Sequence, residues 1–226
     1  MTPLTVRTGK SVSAKICGLK TPEAVSAAVE GDAAYIGLVF YEKSPRNITA
    51  AAAADLARLI PADVRTTGVF VDPTDEQLHD ILTTVPLDLI QLHGAESPDR
   101  VGEVRTRFSL PVIKAFAIAG PDDIKAARDY QNVADMLLFD AKAPTSLQDA
   151  LPGGNGLIFD WRLIREADWR IPWMLSGGLN AENIRRAVAT SGATIVDVSS
   201  GVESRPGRKD IGKIKAFLKA VNEDRI

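Results

Sequence analysis

Cysteine is almost absent, with one residue in 226. An internal disulfide is therefore excluded, and nothing calls for an oxidising compartment. One cysteine and two histidines also leave little from which to build a zinc site; no metal or other cofactor is expected. Charge of one sign is not in excess. With 27 basic and 29 acidic residues the formal net charge is −2, which gives no electrostatic attraction to nucleic acid or to an anionic membrane. No apolar run approaches the roughly 18 residues that cross a bilayer. The opening residues, MTPLTVRTGKSVSAKICG, lack the apolar stretch of a secretory signal. These absences lead to the expectation of a cytoplasmic protein with neither membrane nor nucleic-acid partners. There is also no linker long enough to divide the chain, and no GxGxxG turn of the kind that opens a dinucleotide-binding sheet.

What is present is a regular alternation. Short apolar runs suited to strands cover Ala14–Cys17, Ala34–Phe40, Arg65–Val71, Leu87–His93, Pro111–Ile118, Ala134–Asp140, Pro172–Leu175 and Ala193–Ser199. Helical patterns fall between them at Pro22–Glu30, Ala50–Ile60, Asp75–Thr84, Pro98–Phe108, Pro121–Tyr130, Arg162–Ala167 and Ala181–Ser191, and Asp210–Asn222 closes the series. Several helices start with a capping residue followed by Pro or Ala, as in Thr21-Pro22, Ser97-Pro98 and Asn180-Ala181. Eight βα units fill the chain, which predicts a single α/β domain folded as a (β/α)8 TIM barrel over residues 14–226. Residues 1–13, rich in Thr, Ser and Lys, are expected to form an N-terminal extension.

Alternation within the strands predicts which side chains enter the barrel, because successive residues point to opposite faces and the helix-facing side must be apolar. In Leu87–His93, Ile90 and Leu92 then face the helices while Gln91 and His93 face inward. The same reasoning sends Lys15 and Cys17, Leu138 and Asp140, Asp197 and Ser199, and Lys114 to the lumen. Six ionisable residues thus share one interior: Lys15, Cys17, His93, Lys114, Asp140 and Asp197. Such interiors are normally aliphatic, and buried charge is costly unless paired. Strands one and eight adjoin in a closed barrel, so Lys15 and Asp197 are expected to pair. Cys17, His93 and Asp140 stand at the carboxyl ends of their strands, where barrels of this kind carry their active sites.

Glycine-rich turns follow the last two strands, Ser176-Gly-Gly-Leu-Asn180 and Ser199-Ser-Gly-Val-Glu203. Such turns let backbone N–H groups close on an anion, and loops after strands seven and eight often hold phosphate. The turn after strand seven is expected to run straight into its helix. A third segment, Gly153-Gly-Asn-Gly156, reads as a lid or ordering loop. Arg46, after strand two, presents a planar fork suited to a carboxylate or a phosphate.

Taken together these pieces resemble the phosphoribosylanthranilate isomerases of tryptophan biosynthesis. The matching motifs are KICGLKTPE at Lys15–Glu23, GLVFYEKSPRNI at Gly37–Ile48, GVFVD at Gly68–Asp72, QLHG at Gln91–Gly94, LLFDAK at Leu137–Lys142, GGNGLIFDW at Gly153–Trp161, LSGGLNAENI at Leu175–Ile184 and VDVSSGVESRPGRKD at Val196–Asp210. They follow in order along the barrel. The resemblance implies an Amadori rearrangement of a phosphoribosyl amine, with Asp140 as general acid and Cys17 as general base. It further implies that Arg46 clamps the anthranilate carboxylate and that the Gly177–Gly178 and Ser200–Gly201 backbones hold the phosphate. Gln91, His93, Gly154, Asp197 and Ser199 are expected to complete the substrate site. The only partner implied is the small phosphoribosyl substrate, bound by a monomer or a homodimer. An ordinary thiol, with a pKa near 8.5, is only a few per cent thiolate at neutral pH, so a neighbour must assist Cys17, and Lys15 is the candidate. Lys114 is expected deeper in the barrel, away from Asp140.

Three alternatives are weighed. The related histidine-pathway aminoaldose–ketose isomerases carry Asp where Cys17 stands. Barrels that form indole-glycerol phosphate place Lys and Glu at strand ends, whereas Lys15 and Lys114 lie mid-strand. A non-catalytic sugar-phosphate-binding barrel has no use for Cys17 and Asp140 together.

Overall fold

The computed structural model of the chain describes residues 12–143 and 151–223. The extension expected over 1–13 lies outside the described residues except for its last two, and Ser13 already belongs to the first strand. Eight parallel strands close into a barrel in sequence order: β1 (Ser13–Cys17), β2 (Tyr35–Phe40), β3 (Arg65–Phe70), β4 (Leu89–Leu92), β5 (Val112–Ile118), β6 (Met136–Ala141), β7 (Trp173–Leu175) and β8 (Ile195–Val198). β8 pairs with β1 to complete the ring. Helices α1 (Pro22–Glu30), α2 (Ala50–Ala57), α3 (Asp75–Thr84), α4 (Pro98–Phe108), α5 (Pro121–Arg128), α6 (Arg162–Arg165), α7 (Ile184–Ser191) and α8 (Ile211–Asn222) intervene or follow. The chain is thus a single (β/α)8 barrel. No helix among the described residues is long and apolar enough to cross a membrane.

Local chemistry sets the helix starts. Thr21, Thr49, Ser97 and Asp210 each accept a hydrogen bond from a backbone N–H of the first turn that would otherwise lack a partner. At α3 Thr74 and Gln77 bond reciprocally, closing a capping box. α7 departs from expectation. It begins only at Ile184, after a turn in which Asn180 and Asn183 bond each other's backbone N–H, so the strand-seven loop does not run straight into the helix. After β8 come a 3₁₀ turn (Ser200–Val202) and an antiparallel pair, β9 (Glu203–Arg205) and β10 (Arg208–Lys209), which strand and helix periodicity did not anticipate.

Two apolar layers follow from the alternation. Ile16, Ile36, Ile90, Leu137 and Val196 face outward into a core shared with Val101, Ile214 and Phe217 of the helices. Tyr35, Leu89, Ile113, Ala115, Met136, Leu138, Met174 and Ile195 form a separate cluster inside the barrel.

That inner cluster corrects one expectation. Ile113 and Ala115 point inward, aligned with Gln91 and Leu138 of the neighbouring strands, so Lys114 points outward. Its Nζ donates to Glu96 Oε2 at 2.8 Å, Gly94 O at 2.7 Å and Ala115 O at 3.1 Å, and it lies 5.4 Å from the Phe116 ring centre. All three ammonium donors are satisfied outside the lumen, which makes this outward site tolerable for a buried lysine. Of the six ionisable residues expected in the interior, five enter it, and Tyr35 joins them there.

Candidate active site

The carboxyl ends of the strands open on a cavity of about 660 Å³, its open side toward solvent included. Cys17 from β1, His93 just past β4, Asp140 from β6 and Ser199 just past β8 line it. Val39, Tyr41 and Val69 supply an apolar wall, with Val39 and Val69 packed against Cys17.

Asp197 and Ser176 also line the cavity; Lys15 Nζ donates to Asp197 Oδ1 at 2.9 Å, and Ser176 Oγ donates to Asp197 Oδ2 at 3.1 Å. Lys15 is fully buried and Asp197 nearly so, as the pairing of strands one and eight predicts. Burial alone would depress the lysine, but the Asp197 carboxylate, and after it the Cys17 thiol, hold it above its ordinary value. Cys17 is pushed the other way for a base. Burial raises its thiol above the ordinary value; Lys15 and Lys209 pull down, Asp197 pushes up, and burial prevails. Lys15 does assist, but it does not outweigh burial.

Asp140 is held by its backbone surroundings. Oδ1 accepts from Ala141 N at 2.8 Å, and Oδ2 accepts from Gly154 N at 3.3 Å. His93 Nε2 stands 3.7 Å from Oδ2. Gln91 is wholly buried beneath, outside the cavity lining, and its Nε2 lies 2.9 Å from His93 Nδ1. An amide nitrogen only donates, so in this arrangement Nδ1 is the acceptor and Nε2 is the ring nitrogen that faces Asp140.

On the far side Gly177, Gly178, Ser199 and Ser200 line the cavity. Gly177 and Gly178 have φ of +91° and +60°, and a Cβ on Gly178 would stand 2.7 Å from Leu157 O. Only glycine suits both the backbone angle and the close approach. Gly201 is not in the lining; it is wedged against the Leu179 carbonyl. The Gly153-Gly-Asn-Gly156 segment lies over the mouth, where Gly153 and Gly154 join the lining.

Arg46 also lines the cavity, but most of its donors are taken. Its Nε and Nη2 bond Glu203 Oε1 and Oε2 at 2.8 and 2.9 Å, and Nη2 also bonds Gly154 O at 3.2 Å. Lys209 Nζ shares Glu203 Oε1 at 2.8 Å and reaches Ser199 O and Oγ at 2.9 and 3.2 Å. Glu203 and Lys209 escaped the sequence reading as site residues. The signal was their place in the motif after strand eight, which does not reveal a partner 157 positions away.

A closed barrel with a thiol, a carboxyl group and glycine-rich turns gathered at the carboxyl ends of its strands has the architecture of a (β/α)8-barrel enzyme. Residues 14–220 match the sequence model of the family described as N-(5′phosphoribosyl)anthranilate (PRA) isomerase. The chain is 55% identical over 207 residues to the N-(5′-phosphoribosyl)anthranilate isomerase of Rhodospirillum centenum, covering 92% of this chain and 96% of that one. Among solved structures, phosphoribosyl anthranilate isomerase from Thermotoga maritima superposes with a TM-score of 0.84 at 36% identity, covering 94% and 99% of the two chains. A crystal structure of phosphoribosyl anthranilate isomerase in complex with reduced 1-(o-carboxyphenylamino)-1-deoxyribulose 5-phosphate gives 0.80 at 35% identity, with the same coverage. The chain belongs to the N-(5′-phosphoribosyl)anthranilate isomerase family.

Proposed function

We propose that the chain isomerises N-(5′-phosphoribosyl)anthranilate to 1-(2-carboxyphenylamino)-1-deoxyribulose 5-phosphate in tryptophan biosynthesis, with Asp140 as acid and Cys17 as base. The observation that carries this reading is that Cys17 and Asp140 line one cavity from two different strands, with the Gly177–Gly178 turn along the same wall. Asp140, as the carboxylic acid, protonates the furanose ring oxygen. The C1′–O bond breaks as the nitrogen lone pair forms an iminium at C1′. Cys17 takes the proton from C2′, and that electron pair closes the C1′–C2′ double bond of an enolamine, quenching the iminium. Tautomerisation moves the enol proton to C1′ and leaves the ketone.

The raised thiol fits this order of events. A thiol that burial keeps neutral is drawn toward thiolate when a cation forms beside it, and Lys15 adds to that field. Gly177, Gly178, Ser199 and Ser200 hold the phosphate, Arg46 holds the anthranilate carboxylate, and His93 contacts the reacting sugar. Asp197 completes the substrate site at the cavity wall, and Gln91 supports it from the layer below. The enzyme works in the cytoplasm as a monomer or homodimer, as one catalytic domain over residues 14–226.

The test follows loss of substrate fluorescence with wild type, Cys17→Ser and Asp140→Asn. Removal of a general acid or base should lower kcat by about 10²–10⁴. Full activity in either variant would overturn the role given to that residue.

A further inference from the structure

Arg46 reaches the cavity in a constrained state. A guanidinium has five N–H donors. Glu203 takes the Nε hydrogen and one Nη2 hydrogen side-on, and the Gly154 carbonyl takes the other Nη2 hydrogen. Only the Nη1 end is left for a ligand. The side chains of Arg46 and Glu203 are 7% and 4% exposed, and that of Lys209 is 4% exposed, so the cluster is built into the protein interior. Two cations face one carboxylate there, and a buried excess of positive charge at the wall of a cavity calls for an anion to complete it.

The β9–β10 hairpin carries both partners and is seated against the loop that carries Arg46. At its turn Gly207 has φ +77°, and a Cβ there would stand 2.3 Å from Pro45 O, one residue before Arg46. Lys209 anchors the other end: it bonds Ser199, whose Oγ donates to Cys17 O at 3.1 Å. A continuous run of bonds therefore ties the guanidinium to the end of the strand bearing Cys17.

We propose that Glu203, braced by Lys209, is a positioning residue that sets Arg46 so that its Nη1 end reads the ring carboxylate of the substrate's aromatic amine, making the hairpin a determinant of specificity. This rests on the reading that Arg46 binds that carboxylate. A free arginine would have to surrender rotamer freedom to each ligand, whereas one fixed by a bidentate carboxylate is already ordered.

The test compares two ligands, reduced 1-(o-carboxyphenylamino)-1-deoxyribulose 5-phosphate and its counterpart lacking the ring carboxylate, by the ratio of the second ligand's Kd to the first's. In Glu203→Gln, which removes the charge and one of the two bonds, that ratio should fall at least tenfold, with the Kd of the decarboxylated ligand unchanged. Glu203→Asp keeps the charge beside Lys209 but withdraws the carboxylate by one methylene, and should lower the ratio several-fold. This second variant decides the matter if the first fails to fold. Equal weakening of both ligands would mean a merely structural role and would overturn the proposal. An unchanged ratio in the Glu203 variants, with the ratio lost in Arg46→Met, would also overturn it while leaving the Arg46 reading intact. An unchanged ratio in Arg46→Met would refute that reading itself, and the proposal with it.

Discussion

Replacing Asp197 by Asn isolates the buried charge beneath the active site. The substitution preserves shape but removes the counter-charge from Lys15, whose Nζ lies 2.9 Å from Asp197 Oδ1, with the two side chains 0% and 5% exposed. Breaking a buried pair from one side costs about 3–5 kcal/mol, because a charge is left without a partner in a poorly polarisable interior. The cost has a ceiling near the top of that range, since the lysine can instead give up its proton. From an unfolded value of 10.5, neutralising it at pH 7 costs about 1.36 × (10.5 − 7), or about 4.8 kcal/mol. For a chain of this size a loss of about 4 kcal/mol lowers Tm by roughly 8–16 °C.

The pH dependence carries the sharper test. In the wild type the folded lysine sits above 10.5, so its contribution is fully present below 10.5 and is lost only as pH rises through the higher folded value. In the variant burial dominates, the folded value drops below 10.5, and the folded state binds fewer protons than the unfolded one. Stability of the variant should then rise by about 1.4 kcal/mol per pH unit where the folded lysine is neutral and the unfolded one charged. Urea unfolding followed by circular dichroism at pH 7 and pH 9 should show the gap between the two proteins narrowing. Removing both charges, with Lys15→Met and Asp197→Leu together, should recover most of the loss. A cost below about 1 kcal/mol, or a gap that stays constant with pH, would refute the reasoning.

Lys114→Met should cost about 3–5 kcal/mol in urea unfolding by stranding buried Glu96, while kcat/KM stays within about twofold because the side chain lies outside the barrel. Inactivation by iodoacetamide should accelerate with pH as the Cys17 thiolate forms. Because burial raises that thiol, the midpoint should lie above that of an ordinary thiol, and a midpoint near neutrality would contradict the burial argument. Gly178→Ala should lower stability by about 1–2 kcal/mol and weaken binding of inorganic phosphate, since both the +60° backbone angle and the Leu157 carbonyl oppose a Cβ; titration calorimetry would read the second effect.

The strands were legible where one face is polar and the other apolar. In β1 and β4 the outward residues Ile16, Ile90 and Leu92 contrast with Lys15, Cys17 and Gln91, and alternation alone assigns the faces. β5 gives no such contrast. Val112-Ile-Lys-Ala-Phe-Ala-Ile118 is apolar on both faces apart from Lys114, so its local pattern fits either orientation. Hydrogen-bond register with β4 and β6 fixed it. The antiparallel pair after β8 was hidden for a related reason: strands of three and two residues are too short for a period of two to register.

Cys17 and Asp140 were found because a strand end is a local feature and the fold brings all eight such ends to one mouth. Their chemistry was only half determined in this way. Whether the thiol is easy or hard to ionise depends on burial against nearby charge, a balance set by atoms far apart in sequence, and burial prevails. The same holds for Arg46. Its residue type and position after strand two led to the expectation of an anion reader. The surrender of three of its five donors to Glu203 and Gly154 was decided by packing. Repeating periodicity is written along the chain, so the sequence determined the barrel and which residues stand at its mouth. Pairing between ions depends on distance in space, so the partners of Lys114, Asp197 and Arg46, and with them the electrostatics of the site, were settled only when the barrel closed.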